Sequence, residues 1–518
     1  MSPGRTTPRL APVLVLVGLG VALWVAPGAW ARATEGARTT ADEPQYLMTA
    51  LSLAEDLDLD VSDERAEGRY REFHEVGLPL QEEVRPDGRR VSPHDPLLPL
   101  LLTVPIAVGG WLGAKLALAA TAGVLAAALV WVAVRRLAVP VPAAVLTVLV
   151  FATASPLAVY GTQVYPELPA ALAVTLAIGA LTGPLGRGGV AVLAATVVAL
   201  PWLSVKYVPV AAALTLVGLV ALVRRDERRR AGVLAGVLAV AGLAFLVAHH
   251  ALYGGWTAYA SGAHFSAGEA SVMGADPDVL GRSTRMLGLV VDRGFGLAAW
   301  QPAYLLAVPA LAAVVRRRPP GWAALALPLA AGWLTATFAA LTMHGWWWPG
   351  RQVVVVLPAA VLAVAWWAAR LRAARWLLPA ALAVGAVTVA WLVGEVLLGH
   401  RTLIVDFEGT ANPLYRAWRL VLPDGLREPG GTDALRALWL AAVALLAAWG
   451  WRTETARVAS TDGRSGARSG EAPERPASWE APGRNGRAPA AGPRDPAAGP
   501  GIGISREHRG EERRCVDV

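Results

Sequence analysis

Long apolar runs recur between residues 10 and 451 and are separated by short polar segments. Each run is close to the roughly 20 residues that a helix needs to cross about 30 Å of hydrocarbon. A membrane barrel would instead show short alternating segments, and open strands would leave backbone groups unpaired in lipid. The pattern therefore predicts an all-α polytopic membrane protein.

About twelve spanning helices are predicted from these runs. They lie at residues 10–31, 116–134, 139–159, 165–184, 188–205, 207–223, 231–252, 295–315, 321–343, 352–369, 376–398 and 434–451. The segment Pro96 to Ala114 is also apolar, but its prolines and glycines weaken a continuous helix and are typical of a re-entrant or interfacial segment.

Arginine positions predict the orientation of the chain. Arg5 and Arg9 precede the first run, which places the N-terminus in the cytoplasm by the positive-inside rule. Ala29-Trp30-Ala31 resembles a signal-peptide cleavage site, but the preceding run is longer than the usual 7 to 15 residues, so an uncleaved anchor is favoured. The later clusters fall at every second junction and are Arg135/Arg136, Arg187, Arg224 to Arg230, Arg316 to Arg318 and Arg370/Arg372/Arg375.

A thirteenth crossing by Pro96 to Ala114 would place those later clusters opposite to the N-terminus, so this segment is predicted not to span. Both termini are then cytoplasmic, and the protein is predicted to lie in the plasma membrane. The predicted membrane domain is 1–451. Within it, three long segments are predicted to lie outside the membrane, at 32–95, about 253–294 and about 399–433. Residues 452–518 have few apolar residues to bury, which predicts a disordered cytoplasmic tail.

Composition supports this class of protein. The 518 residues are 55% hydrophobic and 17% charged, against about 25% charged in soluble domains, which excludes a soluble globular enzyme. The net charge of +8 comes from arginines at helix junctions and indicates topology rather than nucleic-acid binding. Cys515 is the single cysteine, so an internal disulfide or a cysteine-based metal site is excluded.

Adjacent carboxylates follow the first predicted span. Asp42 and Glu43 precede Pro44 and the amphipathic stretch Met48 to Leu59. Asp42 has the chemistry of a general base that accepts a proton from a hydroxyl group. Acidic residues before a proline are equally typical of a helix N-terminus, and the two interpretations are compatible.

Four segments resemble class C integral membrane glycosyltransferases (GT-C) of the protein mannosyltransferase and aminoarabinose transferase type. They are Asp42-Glu43-Pro44-Gln45-Tyr46-Leu47 with the acidic run Glu55 to Asp60, Ser92-Pro93-His94-Asp95-Pro96-Leu97-Leu98-Pro99-Leu100, Tyr160 through Tyr165-Pro166-Glu167-Leu168-Pro169, and His344-Gly345-Trp346-Trp347-Trp348-Pro349-Gly350-Arg351. Their order covers most of residues 10 to 400. A large soluble domain, which some members of the family use to bind their acceptor, is not predicted after the last spans.

The resemblance implies a membrane bundle with juxtamembrane helices in the first outer loop and a polyprenyl-phosphate-sugar donor used at the outer face. It implies Asp42 as the base, with Glu43 as its neighbour or substitute, and basic residues that hold the lipid phosphate. The remaining candidates for acceptor or sugar binding are Glu167, Tyr165, His94, Asp95 and Trp347. Transfer to a glycan, lipid or protein of the cell envelope by a single inverting displacement requires no nucleotide, ATP or other cofactor; a metal requirement stays open.

Lys206 and Arg351 are the candidates for the phosphate, and charge distribution supports them independently. Both lie at predicted outer ends of spans, where other short junctions avoid positive charge. A lipid phosphate would offset this charge, since Arg351 offers a bidentate fork and Lys206 a point charge. The alternatives are snorkelling of both side chains to headgroups and a buried pair between Glu167 and Lys206.

Several other features have a structural interpretation that is favoured. His94 and Asp95 are predicted to belong to a proline-rich hinge rather than to a metal site, and the stretch 62–95 to a solvated loop rather than an acceptor-binding flap. His249 and His250 are predicted to be interfacial, and Trp346 to Trp348 to form a membrane-interface belt. Glu395, in an apolar span, is predicted to have a partner or a function.

A secondary transporter or lipid flippase is the alternative function, because twelve spans with both ends inside is also a transporter layout. Transporters tend to have two related halves and broken or charged helices near the bilayer midplane. Here the polar residues gather at the outer ends of spans, and the halves show no match. A scaffold without catalysis is a third alternative, which the joint presence of Asp42, Glu43, Lys206 and Arg351 disfavours.

Overall fold

The computed structural model describes residues 10–265, 268–274, 277–425 and 433–453. Within these residues the regular structure is helical, apart from isolated β-bridges. The predicted tail lies outside the described residues except for 452 and 453. The N-terminal Arg5 and Arg9 lie outside them too.

Nineteen α-helices occur in the described residues. They are α1 (Leu10–Val25), α2 (Glu43–Glu55), α3 (Ser62–Ala66), α4 (Leu97–Arg136), α5 (Val141–Ala152), α6 (Leu157–Tyr160), α7 (Glu167–Leu181), α8 (Arg187–Leu203), α9 (Val208–Arg224), α10 (Arg228–Tyr253), α11 (Val279–Ser283), α12 (Arg285–Val291), α13 (Leu297–Trp300), α14 (Ala307–Arg317), α15 (Trp322–Leu334), α16 (Leu357–Ala368), α17 (Ala374–Leu397), α18 (Pro413–Trp418) and α19 (Asp433–Arg452).

Shorter helical segments join or extend these helices. The 3₁₀ segments are Ala26–Trp30, Arg69–Glu72, Val205–Tyr207, Ala258–Ser261, Ala263–Phe265, Glu269–Met273, Pro302–Leu306, Arg351–Val356, Phe407–Gly409 and Arg419–Val421. A π-helical segment, Thr335–Ala339, extends α15.

The chain is an integral membrane protein. In the described residues, eight helices are long and apolar enough to cross a membrane: Leu10–Trp30, Leu97–Arg136, Val205–Arg224, Arg228–Ser261, Trp322–Ala339, Arg351–Ala368, Ala374–Leu397 and Asp433–Arg452. Three shorter apolar helices are α5, α7 and α8. The all-α class is confirmed, whereas the predicted number of twelve spans is not.

Buried polar side chains and prolines explain why some predicted spans are interrupted. The predicted span 295–315 breaks after α13, where Gln301 donates hydrogen bonds to the carbonyls of Val150 (2.9 Å) and Ala381 (3.2 Å). Pro302 follows directly, and a proline cannot donate the hydrogen bond that a continuing helix needs. The predicted span 139–159 likewise divides into α5 and α6.

The segment 96–114 is helical and continues into the next predicted span as α4. Gly110 interrupts this helix with φ +59° and ψ −156°, a conformation that is essentially restricted to glycine. The arm before Gly110 has thirteen residues and is therefore about 20 Å long, which is shorter than the hydrocarbon thickness. The predicted discontinuity thus lies at Gly110, within a helix rather than in a separate segment.

The predicted first outer loop is folded along much of its length. Residues 43–52 of α2 are buried, and Phe73 is 1% exposed. The loop pairs with a later one, since Glu83 N–H donates to Ser261 (2.8 Å) and Ala263 N–H donates to Gln81 (2.9 Å). The stretch 62–95 is therefore held against residues 261–263 by these backbone bonds, whereas residues 75–77 and 86–89 are exposed, as the solvated-loop prediction expects.

Candidate active site

Four charged side chains from distant parts of the chain, with Arg351 among them, form one connected group. Nη2 of Arg351 lies 2.6 Å from Oδ2 of Asp42, and its Nε lies 3.0 Å from Oε1 of Glu167. The same Glu167 oxygen accepts a hydrogen bond from Nζ of Lys206 at 2.6 Å. We call Asp42, Glu167, Lys206 and Arg351 the four-residue network.

Each member of the network lies at the beginning of a helical segment. Asp42 immediately precedes α2, Glu167 is the first residue of α7, Lys206 lies in Val205–Tyr207 before α9, and Arg351 starts Arg351–Val356 before α16. Helix starts expose free backbone N–H groups and a partial positive charge. This end of the bundle therefore favours anions even before the side chains are considered.

Gly350 sets the direction from which Arg351 enters the network. Its φ of +85° lies in the left-handed region, and a Cβ atom there would lie 2.8 Å from Cδ2 of Leu297 and 3.2 Å from Cγ of Pro156. Both the backbone conformation and the space therefore require glycine. This geometry explains why Gly350 precedes Arg351 in the segment His344 to Arg351.

Burial distinguishes the network from ordinary interfacial charges. The Arg351 side chain is 8% exposed and Glu167 is fully buried, whereas Lys206 and Asp42 are partly exposed. The Arg351 guanidinium lies over the rings of Tyr165 (4.1 Å) and Trp347 (5.1 Å). Arg351 does not snorkel to the lipid surface, and Lys206 forms the pair with Glu167 that was one of the sequence alternatives.

Asp42 is ionised at neutral pH. Burial alone would raise the pKa of its carboxyl group, but the Arg351 charge and hydrogen bond, with smaller contributions from His94 and Lys206, lower the pKa to about 2. Asp42 occupies the N-cap position of α2, yet its side chain makes no capping hydrogen bond. Its carboxylate is therefore directed to Arg351 rather than to the helix terminus.

Glu43 is held by the backbone instead. Its two oxygens accept hydrogen bonds from Thr40 N–H (3.3 Å) and Val164 N–H (2.9 Å), and the residue is 1% exposed. Burial raises the pKa of its carboxyl group, and the Lys115 charge opposes this shift. Glu43 thereby connects the start of α2 to the segment that precedes α7. Its role is structural, whereas Asp42 binds Arg351.

Aromatic residues complete the wall around Arg351. Tyr165 hydroxyl donates to the Thr40 carbonyl at 3.2 Å, so this ring is fixed under the guanidinium. In the predicted tryptophan belt, Trp346 is 66% exposed, whereas Trp348 is fully buried and packs against Trp300 at 4.8 Å between ring centroids. The belt prediction therefore fails for Trp347 and Trp348, because the turn before Gly350 directs them inward.

His94 and Asp95 lie beside the network and have structural partners. The His94 ring stacks on Tyr46 with 4.7 Å between centroids, and its Nε2 lies 3.0 Å from Oε1 of Gln81. Burial lowers the pKa of the His94 imidazole, and the Asp42 charge opposes this shift. Asp95 accepts a hydrogen bond from Val205 N–H (3.0 Å) and therefore anchors the segment that contains Lys206.

His249 is a partner of Asp95 that the sequence did not reveal. Its Nε2 lies 3.0 Å from Oδ1 of Asp95, and the imidazole is fully buried. The interfacial prediction for His249 is wrong, because its position on α10 places the imidazole against Asp95, at the end of the predicted first outer loop.

Glu395, which was predicted to have a partner or a function, has hydrogen-bond partners. It accepts hydrogen bonds from Thr410 hydroxyl (2.6 Å) and Ala411 N–H (2.8 Å).

Buried polar atoms in these segments lack a hydrogen-bond partner within the described part of the protein. They include Oε2 of Glu167, the hydroxyl of Tyr207 and Nε1 of Trp347. The side-chain amides of Gln45 and Gln163 also lack a hydrogen-bond partner there. Such groups are costly to bury alone and are suited to a polar ligand. Apart from their adjacency to the motifs, the sequence contains no signal for them.

No family model and no curated protein matches the sequence. Among solved structures, the crystal structure of ArnT from Cupriavidus metallidurans bound to undecaprenyl phosphate is similar to this chain. The two are 15% identical, the TM-score is 0.49, and the match covers 86% of this chain and 73% of that chain.

Proposed function

We propose that this protein is a membrane glycosyltransferase that moves one sugar from a polyprenyl phosphate to a hydroxyl group of a cell-envelope acceptor at the outer face. The observation that supports this most is the convergence of Asp42, Glu167, Lys206 and Arg351 at one end of the bundle. The four sequence segments that resemble class C glycosyltransferases supply most of these residues. A base, a second acid and two cations are the groups that such a transfer needs.

The charges of the network suit a lipid phosphate. Two carboxylates and two cations are together neutral, so neither sign dominates before a ligand binds. A phosphate would compete with Asp42 and Glu167 for the donors of Arg351 and Lys206. The unpaired Glu167 oxygen, Tyr207 hydroxyl and Trp347 N–H match the hydroxyl groups of a sugar.

Donor binding would activate the base. While Arg351 holds it, Asp42 has a pKa of about 2 and is a weak proton acceptor. When the donor phosphate takes over the guanidinium, the charge that lowered this pKa is shared and Asp42 becomes more basic. Activation of the acceptor is then coupled to the presence of the donor, which limits loss of the sugar to other reactions.

Transfer follows as a single displacement. Asp42 accepts the proton of the acceptor hydroxyl, whose oxygen forms a bond to the anomeric carbon. The bond between that carbon and the phosphate oxygen breaks, the anomeric configuration inverts, and polyprenyl phosphate leaves with the bonding electrons. Lys206 and Arg351 stabilise the charge that develops on the departing phosphate. Glu167 holds both cations in place and offers its free oxygen to a sugar hydroxyl.

Reconstituted liposomes test this function. The purified protein is given membrane extract and a panel of radiolabelled polyprenyl-phosphate sugars, and wild type is compared with Asp42→Asn. We expect one donor to be consumed by wild type and turnover to fall at least about 100-fold in Asp42→Asn, the scale of general-base catalysis. Asp87→Asn, an exposed change in the same loop, is the control and should transfer normally.

The outcomes separate the enzyme from the alternative. Equal turnover in Asp42→Asn would remove Asp42 from the mechanism. If no donor is consumed while lipid or solute crosses the bilayer of the same liposomes, the protein is a transporter or flippase.

A further inference from the structure

Three carboxylates converge at the other end of α2. Asp56 follows the last residue of this helix, and Asp63 and Glu64 lie in α3. One carboxylate oxygen of each residue lies within 4.8 Å of the others. The thirteen residues of α2, about 20 Å of helix, separate this cluster from Asp42.

Glu64 is the unusual member of the cluster. The residue is 2% exposed, and neither of its carboxylate oxygens has a hydrogen-bond partner in the described protein. Asp56 and Asp63 are exposed to solvent. A buried carboxylate that points towards two others, with no donor to satisfy it, is expensive unless a cation or proton neutralises it.

Nearby basic residues do not provide this neutralisation. Arg65 binds Glu82 at 2.7 Å, and Arg69 binds Glu55 at 2.6 Å. Their charges are therefore already matched by other carboxylates. The local field of the cluster stays negative.

Neighbouring aspartates show what a structural role looks like in the same loop. Oδ1 of Asp58 accepts hydrogen bonds from Ser52 hydroxyl and Asp60 N–H, both at 2.9 Å. Oδ1 of Asp60 accepts one from Ser62 hydroxyl at 2.6 Å. These carboxylates are satisfied by the chain itself, in contrast to Glu64.

The spacing fits a hard cation with oxygen ligands. Calcium takes its ligands at 2.3–2.6 Å, so two oxygens of one coordination sphere lie at most about 5 Å apart. Magnesium demands near-ideal octahedral geometry at 2.0–2.1 Å, whereas calcium accepts flexible coordination. We propose that Asp56, Asp63 and Glu64 bind one calcium ion, with water molecules completing its coordination.

A bound ion would connect the C-terminal end of α2 to α3. Since α2 begins next to Asp42, a bound ion at its other end limits movement of the whole helix relative to α3. The site is structural, and it is independent of the proposed transferase activity.

Calcium titration of the full-length protein tests this site. Detergent-purified protein is stripped with EDTA and titrated with calcium chloride in a calorimeter, and the midpoint of thermal unfolding is measured with and without calcium. We expect one saturable site and a higher midpoint with calcium. Glu64→Gln and Asp63→Asn should each weaken binding at least about tenfold. Glu67→Gln, an exposed glutamate three residues away, is the matched control and should bind as wild type does.

Clear results would overturn the proposal. Absence of saturable binding to wild type, or equal binding to Glu64→Gln and Asp63→Asn, would remove the site. Equal affinity for magnesium would contradict calcium as the ion. Because Asp63 is exposed, loss of binding in Asp63→Asn cannot result from a collapsed core, and circular dichroism of each variant verifies its helical content.

Discussion

At the scale of single residues, positive charge at the predicted outer ends of spans was the strongest sequence signal for the candidate site. Lys206 and Arg351 could be selected from the sequence because they stand at the end of spans where positive charge is avoided. Their partners could not be selected, since Arg351 and Asp42 are 309 residues apart and nothing in a single sequence encodes that contact. The contact of His249 with Asp95 and the buried hydroxyl of Tyr207 were not foreseen, because the sequence pattern around them does not indicate which side chains they meet.

The network predicts an inverted pH dependence of stability when its central cation is removed. In wild type, the folded pKa of Asp42 is about 2, below its unfolded value of about 3.9, so this group stabilises the fold above pH 4 and the contribution is lost as pH falls towards 2. In Arg351→Gln, we expect burial to raise the pKa of the Asp42 carboxyl group above its unfolded value, since the main charge that opposes burial is gone. Its protonation then stabilises the fold, and stability is lost as pH rises.

Thermal unfolding in detergent at pH 4.5 and pH 7 measures this change. We expect Arg351→Gln to unfold at a higher temperature at pH 4.5 than at pH 7, relative to wild type. Removing one partner of a buried pair should also cost about 3–5 kcal/mol at pH 7. Arg71→Gln, an exposed change in the first outer loop, should follow the wild-type profile. Parallel profiles of all three proteins would show that Arg351 does not control Asp42.

At the scale of elements, apolar runs located the helices well and their interruptions less well. The weakness around Gly110 was foreseen from prolines and glycines, although the helix continues beyond it. The break at Gln301 was not foreseen, because one buried amide that bonds to two other helices decides it. The packing of the predicted first outer loop was not foreseen, because some of its charges pair with one another, as Arg65 does with Glu82.

Gly350→Ala tests whether the turn before Arg351 places the guanidinium. A non-glycine residue at φ +85° costs about 1–2 kcal/mol, and the added Cβ must also displace Leu297. We expect a lower unfolding midpoint and a loss of transfer activity in liposomes. Gly88→Ala is the matched control, since Gly88 has φ +87° with no atom within 4 Å of an added Cβ.

The two variants share the backbone strain and differ in the contact. Activity in Gly350→Ala equal to that of Gly88→Ala would mean that the turn does not position Arg351.

At the scale of the whole molecule, the arginine clusters predict the orientation of the protein in the membrane. They alternate with the junctions that contain Lys206 and Arg351, so the network is predicted to face outwards and both termini inwards. The membrane class was evident from composition alone. The number of spans was not, because short helices such as α5 and α7 fall below the length of an independent crossing.

Labelling of cysteines in intact cells tests this orientation. Cys515 is the only cysteine, so it reports on the C-terminal tail without further changes. A membrane-impermeant maleimide should leave Cys515 unlabelled until the cells are permeabilised. In a Cys515→Ser background, Asp87→Cys in the first outer loop should be labelled in intact cells. The opposite pattern would place the network on the cytoplasmic side.

Binding of polyprenyl phosphate without a sugar tests the central claim most directly, since it requires no knowledge of the donor sugar or acceptor. Affinity is measured for wild type, Lys206→Met and Arg351→Lys, with Arg71→Gln as the control. We predict saturable binding to wild type and Arg71→Gln and at least about tenfold weaker binding to the two network variants, since each loses charge-assisted hydrogen bonds to phosphate. Equal binding to all four proteins, or none to wild type, would contradict a phosphate site at Lys206 and Arg351.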